Sequence, residues 1–203
     1  MMILRSSSAS PFARKIRIAA TFLGLSDRIE IVPADTSDPA DPVRAQNPLG
    51  KIPTLVLDDG KAIYDSPVIL EYLDWLAGAG KLIPIGAERF DVLTRAALAD
   101  GVIDAAILKV YEQRWRDAAT HSQRWLDHQS AKIARGVAAL EASAPDPAKF
   151  DVASLTLACA LGYLDLRFGG AWRAEQPTLV PWLAAFSAAV PAFEATRHRE
   201  GGS

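Results

Sequence analysis

The chain has 203 residues, half of them apolar, which suits one compact unit or two small domains with a sizeable core. A formal charge of -2 argues against a nucleic-acid surface or a polybasic membrane patch, and no apolar run reaches the roughly 18–20 residues that span a bilayer. Cys159 is the only cysteine, and His121, His128 and His198 have no partner at a familiar ligand spacing, so neither an internal disulfide nor a metal site is expected.

The chain opens with Ile3-Leu4, a short buried strand. Its apolar stretch is too short for a signal peptide, and the charges of Arg14, Lys15 and Arg17 follow it instead of preceding it. A cytoplasmic protein is expected. Phe12, Ile16, Ala19, Ala20 and Leu23 then recur at helical spacing, and Gly24 ends that helix. Ile29, Ile31 and Val32 form a second strand. "DTSDPADPVRAQNPLG" reads as loop with one helical turn. "TLVL" is a third strand, "DDG" a hairpin turn and "KAIY" the returning strand. Ser66-Pro67 opens a helix with apolar Val68, Ile69, Tyr72, Leu73 and Leu76.

Beyond Gly78-Ala79-Gly80 the pattern is helical throughout. Long helices are expected over about 87–116 and 122–143, and a third over 151–168. Asp151 is a good cap for the third, with Ser154 at N3 and Phe150 and Leu155 placed as a hydrophobic staple. "GGAWRAEQP" breaks the pattern, and short helices centred on Trp182 and Phe193 finish the chain.

Three short stretches carry candidate chemistry. Ser10-Pro11 is an N-cap followed by proline at N1. It serves as an ordinary cap, or it places free N–H groups and a partial positive charge beside an anion. Arg14, Lys15 and Arg17 oppose the dipole of that helix, either as solvated charges or as company for the anion. Ile52-Pro53 precedes an apolar strand. Proline is tolerated there, and a residue before a cis-proline at a strand edge offers its N–H and C=O to a peptide ligand. Asp65-Ser66-Pro67 repeats the Ser-Pro arrangement with Ser66 as the expected cap. The alternative reading is a zwitterion site, with the helix start and Ser66 taking a carboxylate and Asp65 an ammonium.

With "SASPFARKIRIA", "NPLGKIPTLVLDDG", "IYDSPVILEYL" and "QPTLVPWLAAF" in this order, the chain resembles the glutathione S-transferase family, most closely its bacterial, serine-type members. The resemblance covers nearly the whole chain. It implies an α/β plus all-α fold: a thioredoxin-like, glutathione-binding domain over residues 1–79 and an all-helical domain over 87–203, usually as a homodimer. It implies a transferase with glutathione as co-substrate, conjugating a small electrophile in a detoxifying reaction. Ser10 falls at the catalytic position that stabilises the glutathione thiolate. Phe12, Lys51, Ile52, Pro53, Asp65 and Ser66 fall at glutathione-binding positions. Tyr111, Arg114 and Trp115 on the long helix are candidates for the second substrate, with core packing as their alternative. Some relatives have cysteine where this chain has Ser10, so disulfide exchange is disfavoured here. Asp151 and Ser154 exchange the usual cap and N3 roles of the later core helix. A non-catalytic binding module, or another glutathione-dependent enzyme such as an isomerase, dehalogenase or peroxidase, remains compatible with the same fold.

Overall fold

In the computed structural model, residues 1–199 are described. The chain divides into two compact units, one of residues 1–89 with the C-terminal segment from 190, the other of residues 90–189.

The first unit is built on a four-stranded sheet. Strands β1 (Met2–Ser6), β2 (Ile29–Pro33), β3 (Thr54–Val56) and β4 (Ala62–Ile63) lie in the order β2-β1-β3-β4. β1 and β2 are parallel and need a crossover, which helix α1 (Pro11–Phe22) supplies. β3 runs antiparallel to both β1 and β4. Met2, Leu4 and Ser6 of β1 are buried and alternate with half-buried neighbours, while β3 is buried at all three positions, as its place between β1 and β4 requires. α1 packs against helix α3 (Ser66–Leu76), with Ile16, Ala19, Ile69, Leu70 and Leu73 buried. A single turn, α2 (Val43–Gln46), lies in the Asp- and Pro-rich loop. α1 stops at Gly24, whose φ of +70° closes the turn, with Leu25 N–H donating to the Ala20 carbonyl.

The connector after α3 is fastened by one buried carboxylate. Asp74 accepts from the backbone N–H groups of Gly80, Lys81 and Leu82 at 2.9, 3.0 and 2.7 Å. The sequence reading treats this stretch as a bare connector. The fastening is invisible there because it joins a helix residue to loop amides that have no side-chain signature.

The C-terminal segment belongs with the sheet unit rather than with the helices that precede it in sequence. Its short helix α9 (Pro191–Ala195) lies on α1. Arg14 donates to the Phe193 carbonyl, and its guanidinium sits 4.0 Å from the Phe193 ring centre. Arg14 Nε also donates to Thr196 Oγ1 at 3.3 Å, and Arg17 donates to the Thr196 carbonyl at 3.3 Å. Ser8 and His198 share a hydrogen bond of 2.9 Å.

The second unit consists of helices in the described residues. Helix α4 (Glu88–Trp115) starts just before it, followed by α5 (Gln123–Ala142), α6 (Val152–Phe168), the single turn α7 (Trp172–Glu175) and α8 (Leu179–Ala189). α6 is its central helix, and every residue from Val152 to Leu161 is buried, Cys159 among them. The expected cap is present as a full capping box. Asp151 accepts from Ala153 and Ser154 N–H, both at 2.9 Å, and Ser154 Oγ accepts from Asp151 N–H at 3.0 Å. Phe150 stacks on Phe186, and Phe186 on Trp182. α4 and α5 approach closely at Gly136, where a Cβ would stand 2.5 Å from Val102 Cγ2. The short α7 falls within "GGAWRAEQP". It is held because Asp165 accepts from Trp172 Nε1 at 2.9 Å and pairs with Arg173 at 2.6 Å. No helix among the described residues is long and apolar enough to cross a membrane.

Two substitutions test these fastenings. Asp151→Ala is expected to cost about 2 kcal/mol by removing the cap, read as a lower urea midpoint. Asp74→Ala leaves three loop N–H groups without their acceptor and is expected to cost about 2–3 kcal/mol in the same measurement.

Candidate functional site

Strand register assembles the candidate residues of the first unit. Arg5 pairs with Thr54, and Leu55 pairs with Ile63. The end of β1, the start of β3 and the end of β4 therefore lie side by side at one edge of the sheet. The turn to Ser10 follows β1, Ile52-Pro53 precedes β3, and Asp65-Ser66 follows β4. Adjacent strands are roughly 4.8 Å apart, so the three segments span about 10 Å. That is the length of an extended tripeptide at roughly 3.3–3.6 Å per residue.

At the first position, Ser10 caps α1. Its Oγ accepts from Ala13 N–H at 3.2 Å, and Pro11 stands at N1. Accepting uses a lone pair and leaves the hydroxyl proton available to a further acceptor. The first turn of α1 contains no acidic residue, so nothing in the helix neutralises its positive end. Phe12 is half-buried beside it, with the Lys15 ammonium 5.1 Å from its ring centre. The idea that the basic residues of α1 serve an anion gives way to a different finding for two of them. Arg14 and Arg17 are engaged by carbonyls and Thr196 of the C-terminal segment.

At the second position, the Ile52–Pro53 peptide bond is cis. Ile52 is half-buried, and its backbone N–H and C=O pair with no other backbone group among the described residues. Lys51 is exposed. The loop that presents these residues is organised by Asn47, which the sequence reading does not single out. Asn47 is only 2% exposed. Its Nδ2 donates to the Lys51 carbonyl at 3.1 Å and to Thr54 Oγ1 at 3.2 Å, and its Oδ1 accepts from Leu49 N–H at 3.0 Å. Thr54 Oγ1 also donates to the Lys51 carbonyl, at 2.9 Å. A loop asparagine followed by proline reads first as a turn former, and only the fold reveals that its amide holds the whole approach to β3.

At the third position, the helix boundary differs by one residue from the expectation. α3 begins at Ser66, and Asp65 rather than Ser66 is the N-cap. The Asp65 side chain makes no cap hydrogen bond, and the Tyr64–Asp65 peptide bond is cis. Asp65 is exposed, while Ser66 is buried within the first turn. Without a side-chain cap, the leading N–H groups of α3 retain their capacity to bind an anion. An exposed carboxylate stands directly beside them. Opposite charges on a ligand thus find complementary partners two bonds of backbone apart.

The second-substrate candidates lie on α4 in the helical unit. Tyr111 is 42% and Trp115 61% exposed, and Arg114 is exposed as well. Core packing, their alternative, is therefore not what these side chains do. Arg114 lies 5.8 Å from the Tyr111 ring centre. Among the described residues, no group of three or more His, Cys, Asp or Glu is placed to hold a metal ion.

Comparison with known proteins agrees with this architecture. Residues 9–76 match the model of the glutathione S-transferase N-terminal domain. The chain is 36% identical over 186 residues to the GST-like protein YibF of Escherichia coli K12, covering 88% of this chain and 90% of the relative. A glutathione transferase family member from Pseudomonas fluorescens Pf-5, solved with bound glutathione, is 41% identical and superposes with a TM-score of 0.91 over 98% of this chain and 100% of that one. The Pseudomonas fluorescens protein has also been solved with bound S-(propanoic acid)-glutathione, with a TM-score of 0.86. A glutathione S-transferase from Methylobacillus flagellatus KT, with glutathione bound, is 35% identical with a TM-score of 0.88 over 98% of this chain and 100% of that one. With a sheet unit of thioredoxin-like topology, a helical remainder and relatives this similar over nearly its whole length, the chain belongs to the glutathione S-transferase family.

Proposed function

We propose that this chain is a cytoplasmic glutathione transferase that binds glutathione along the edge formed by β1, β3 and β4 and conjugates it to a small electrophile. The observation that carries the reading is the alignment of three complementary groups across about 10 Å of that edge, the length of the tripeptide itself. The γ-glutamyl end meets Asp65, which takes the ammonium, and Ser66 with the uncapped start of α3, which take the carboxylate. The cysteinyl backbone pairs with Ile52 as a short added strand beside Pro53. Phe12 and Lys51 flank the ligand. The sulfur lies at Ser10.

Ser10 acts on charge, not as a nucleophile. Its hydroxyl donates to the sulfur while the N-terminus of α1 supplies positive potential, and both favour thiolate over thiol. An ordinary cysteine thiol titrates near 8.5, and helix N-termini bring thiols down to about 3.5–7.5. The bound thiolate attacks an electrophilic carbon. A carbon–sulfur bond forms, and either a leaving group departs with its electron pair or a double bond opens and the neighbouring carbon takes a proton. Binding of glutathione to the Pseudomonas fluorescens and Methylobacillus flagellatus relatives supports the first half of this cycle. The S-substituted glutathione in the former has the form of a conjugation product. Exposed Leu49, Val68 and Trp75 on the first unit support a homodimer, since each exposes apolar surface that a second copy would cover.

Three measurements test the reading. The ultraviolet absorbance of bound glutathione, titrated across pH, is expected to give a thiol pKa of about 7 or lower. In Ser10→Ala the titration moves up by about one to two units, so the rate of conjugation falls most below pH 7 and the loss narrows above the free thiol's pKa. Unaltered absorbance titration in Ser10→Ala would remove Ser10 from the mechanism. Asn47→Ala releases the loop before β3 and is expected to raise the Kd for glutathione by about ten-fold in calorimetry, with the bound thiol pKa unchanged. Asp65→Asn is expected to weaken glutathione by a similar factor while leaving an analogue without the γ-glutamyl ammonium unaffected.

A further inference from the structure

The second unit holds a cluster of cations and phenols that the reading above does not use. α4 and α6 approach each other there, with the Lys109 ammonium 4.7 Å from the Phe168 ring centre. From α4 come Lys109, Tyr111 and Arg114, and from α6 come Tyr163 and Arg167. Arg167 lies 5.7 Å from the Tyr163 ring centre and Arg114 lies 5.8 Å from that of Tyr111. The two pairs are close enough that Tyr111 and Arg114 both act electrostatically on Tyr163.

Carboxylates are present in both stretches, yet none neutralises these cations. Glu112 accepts from Ser122 N–H at 2.9 Å and pairs with Arg116. Asp165 is taken by Arg173 and Trp172. Among the described residues, neither Arg114, Arg167 nor Lys109 has a carboxylate partner. The Nε of Arg167 is buried and donates to nothing. Burial holds the Tyr163 phenol above its ordinary range, opposed by the charge and hydrogen bonding of Arg167, so at neutral pH its hydroxyl remains a donor. A half-buried guanidinium without an anion keeps an unmet electrostatic demand, and a carboxylate matches its geometry in two parallel hydrogen bonds. Tyr111 and, one turn on, Trp115 offer exposed aromatic surface next to Arg114.

We propose that Arg114 and Arg167, with Tyr111 and Tyr163, bind the carboxylate of a small molecule whose apolar body lies on Tyr111 and Trp115. That molecule is an aromatic or similarly apolar acid. The probes are benzoate and its neutral counterpart benzamide, titrated by calorimetry into the intact protein. Benzoate is expected to bind in the millimolar range and benzamide at least about ten-fold more weakly. Arg114→Gln, at an exposed position, and Arg167→Gln are each expected to weaken benzoate about ten-fold, leaving benzamide and glutathione affinities unchanged. Arg167→Lys restores only part of the benzoate affinity, because an ammonium lacks the two-pronged geometry. Equal binding of the two probes, absence of benzoate binding, or benzoate affinity indifferent to both arginine variants overturns the proposal. Glutathione titrated into the same preparation separates the two readings. If glutathione binds and benzoate does not, the carboxylate site falls and the transferase reading stands. If benzoate binds and glutathione does not, the carboxylate site stands and the transferase reading falls.

Discussion

Everything proposed for the first unit depends on the antiparallel pairing of β3 with both of its neighbours. That pairing brings the end of β1, the start of β3 and the end of β4 to the same edge. Three segments spread over more than fifty residues of chain thereby become neighbours at strand spacing. Reversing β3 would carry Ile52 to the opposite end of the sheet, away from the other two segments. The residues in these three segments differ in chemistry: a hydroxyl at a helix start, an open backbone edge, and a carboxylate beside uncapped amides. A ligand bearing a thiol, a peptide and a zwitterion meets each in turn.

Polar side chains fix the geometry of this arrangement. Apolar burial beneath α1 and α3 makes the unit cohere, but it is tolerant of small displacements. Hydrogen bonds of defined direction are not. Asn47 fixes the loop before β3, Asp74 fixes the connector after α3, and Arg14 with Arg17 fixes the C-terminal segment on α1. Each is a side chain satisfying backbone groups that regular secondary structure leaves open. An unmade bond of this kind is costly, so each fastening favours a single geometry over its neighbours.

In the helical unit the balance of charge is uneven in an informative way. Glu112 of α4 and Asp165 of α6 are spent on a helix start and on the turn at α7. Lys109 and Arg114 of α4 and Arg167 of α6 are left to phenols and aromatic rings. Cation–aromatic contacts hold guanidinium groups in place without cancelling their charge. Such a surface keeps its field for an anion that arrives from outside.

Much of this protein is legible in its amino-acid order. Periodicity locates the strands and the long helices, because apolar spacing reports directly which face is buried. The capping box at Asp151 is legible because its donors and acceptors lie within four residues. Local chemistry also marks Ser10, Ile52-Pro53 and Asp65-Ser66 as candidates, though it misplaces the cap of α3 by one residue, since both Asp65 and Ser66 are good caps. Sequence alone therefore determined the elements, their order and the short stretches able to carry chemistry. Only the tertiary structure decided that those stretches share one sheet edge, that Asn47 and Asp74 hold its loops, that Arg14 and Arg17 of α1 receive the C-terminal segment, and that the cations of α4 and α6 lie among phenols and rings without a carboxylate. The physical reason is range. Propensity, capping and periodicity act within a few residues, whereas the shared sheet edge and the seat of the C-terminal segment join positions far apart in the chain, and the Asn47 and Asp74 bonds, though short in sequence, form only once burial has fixed their loops.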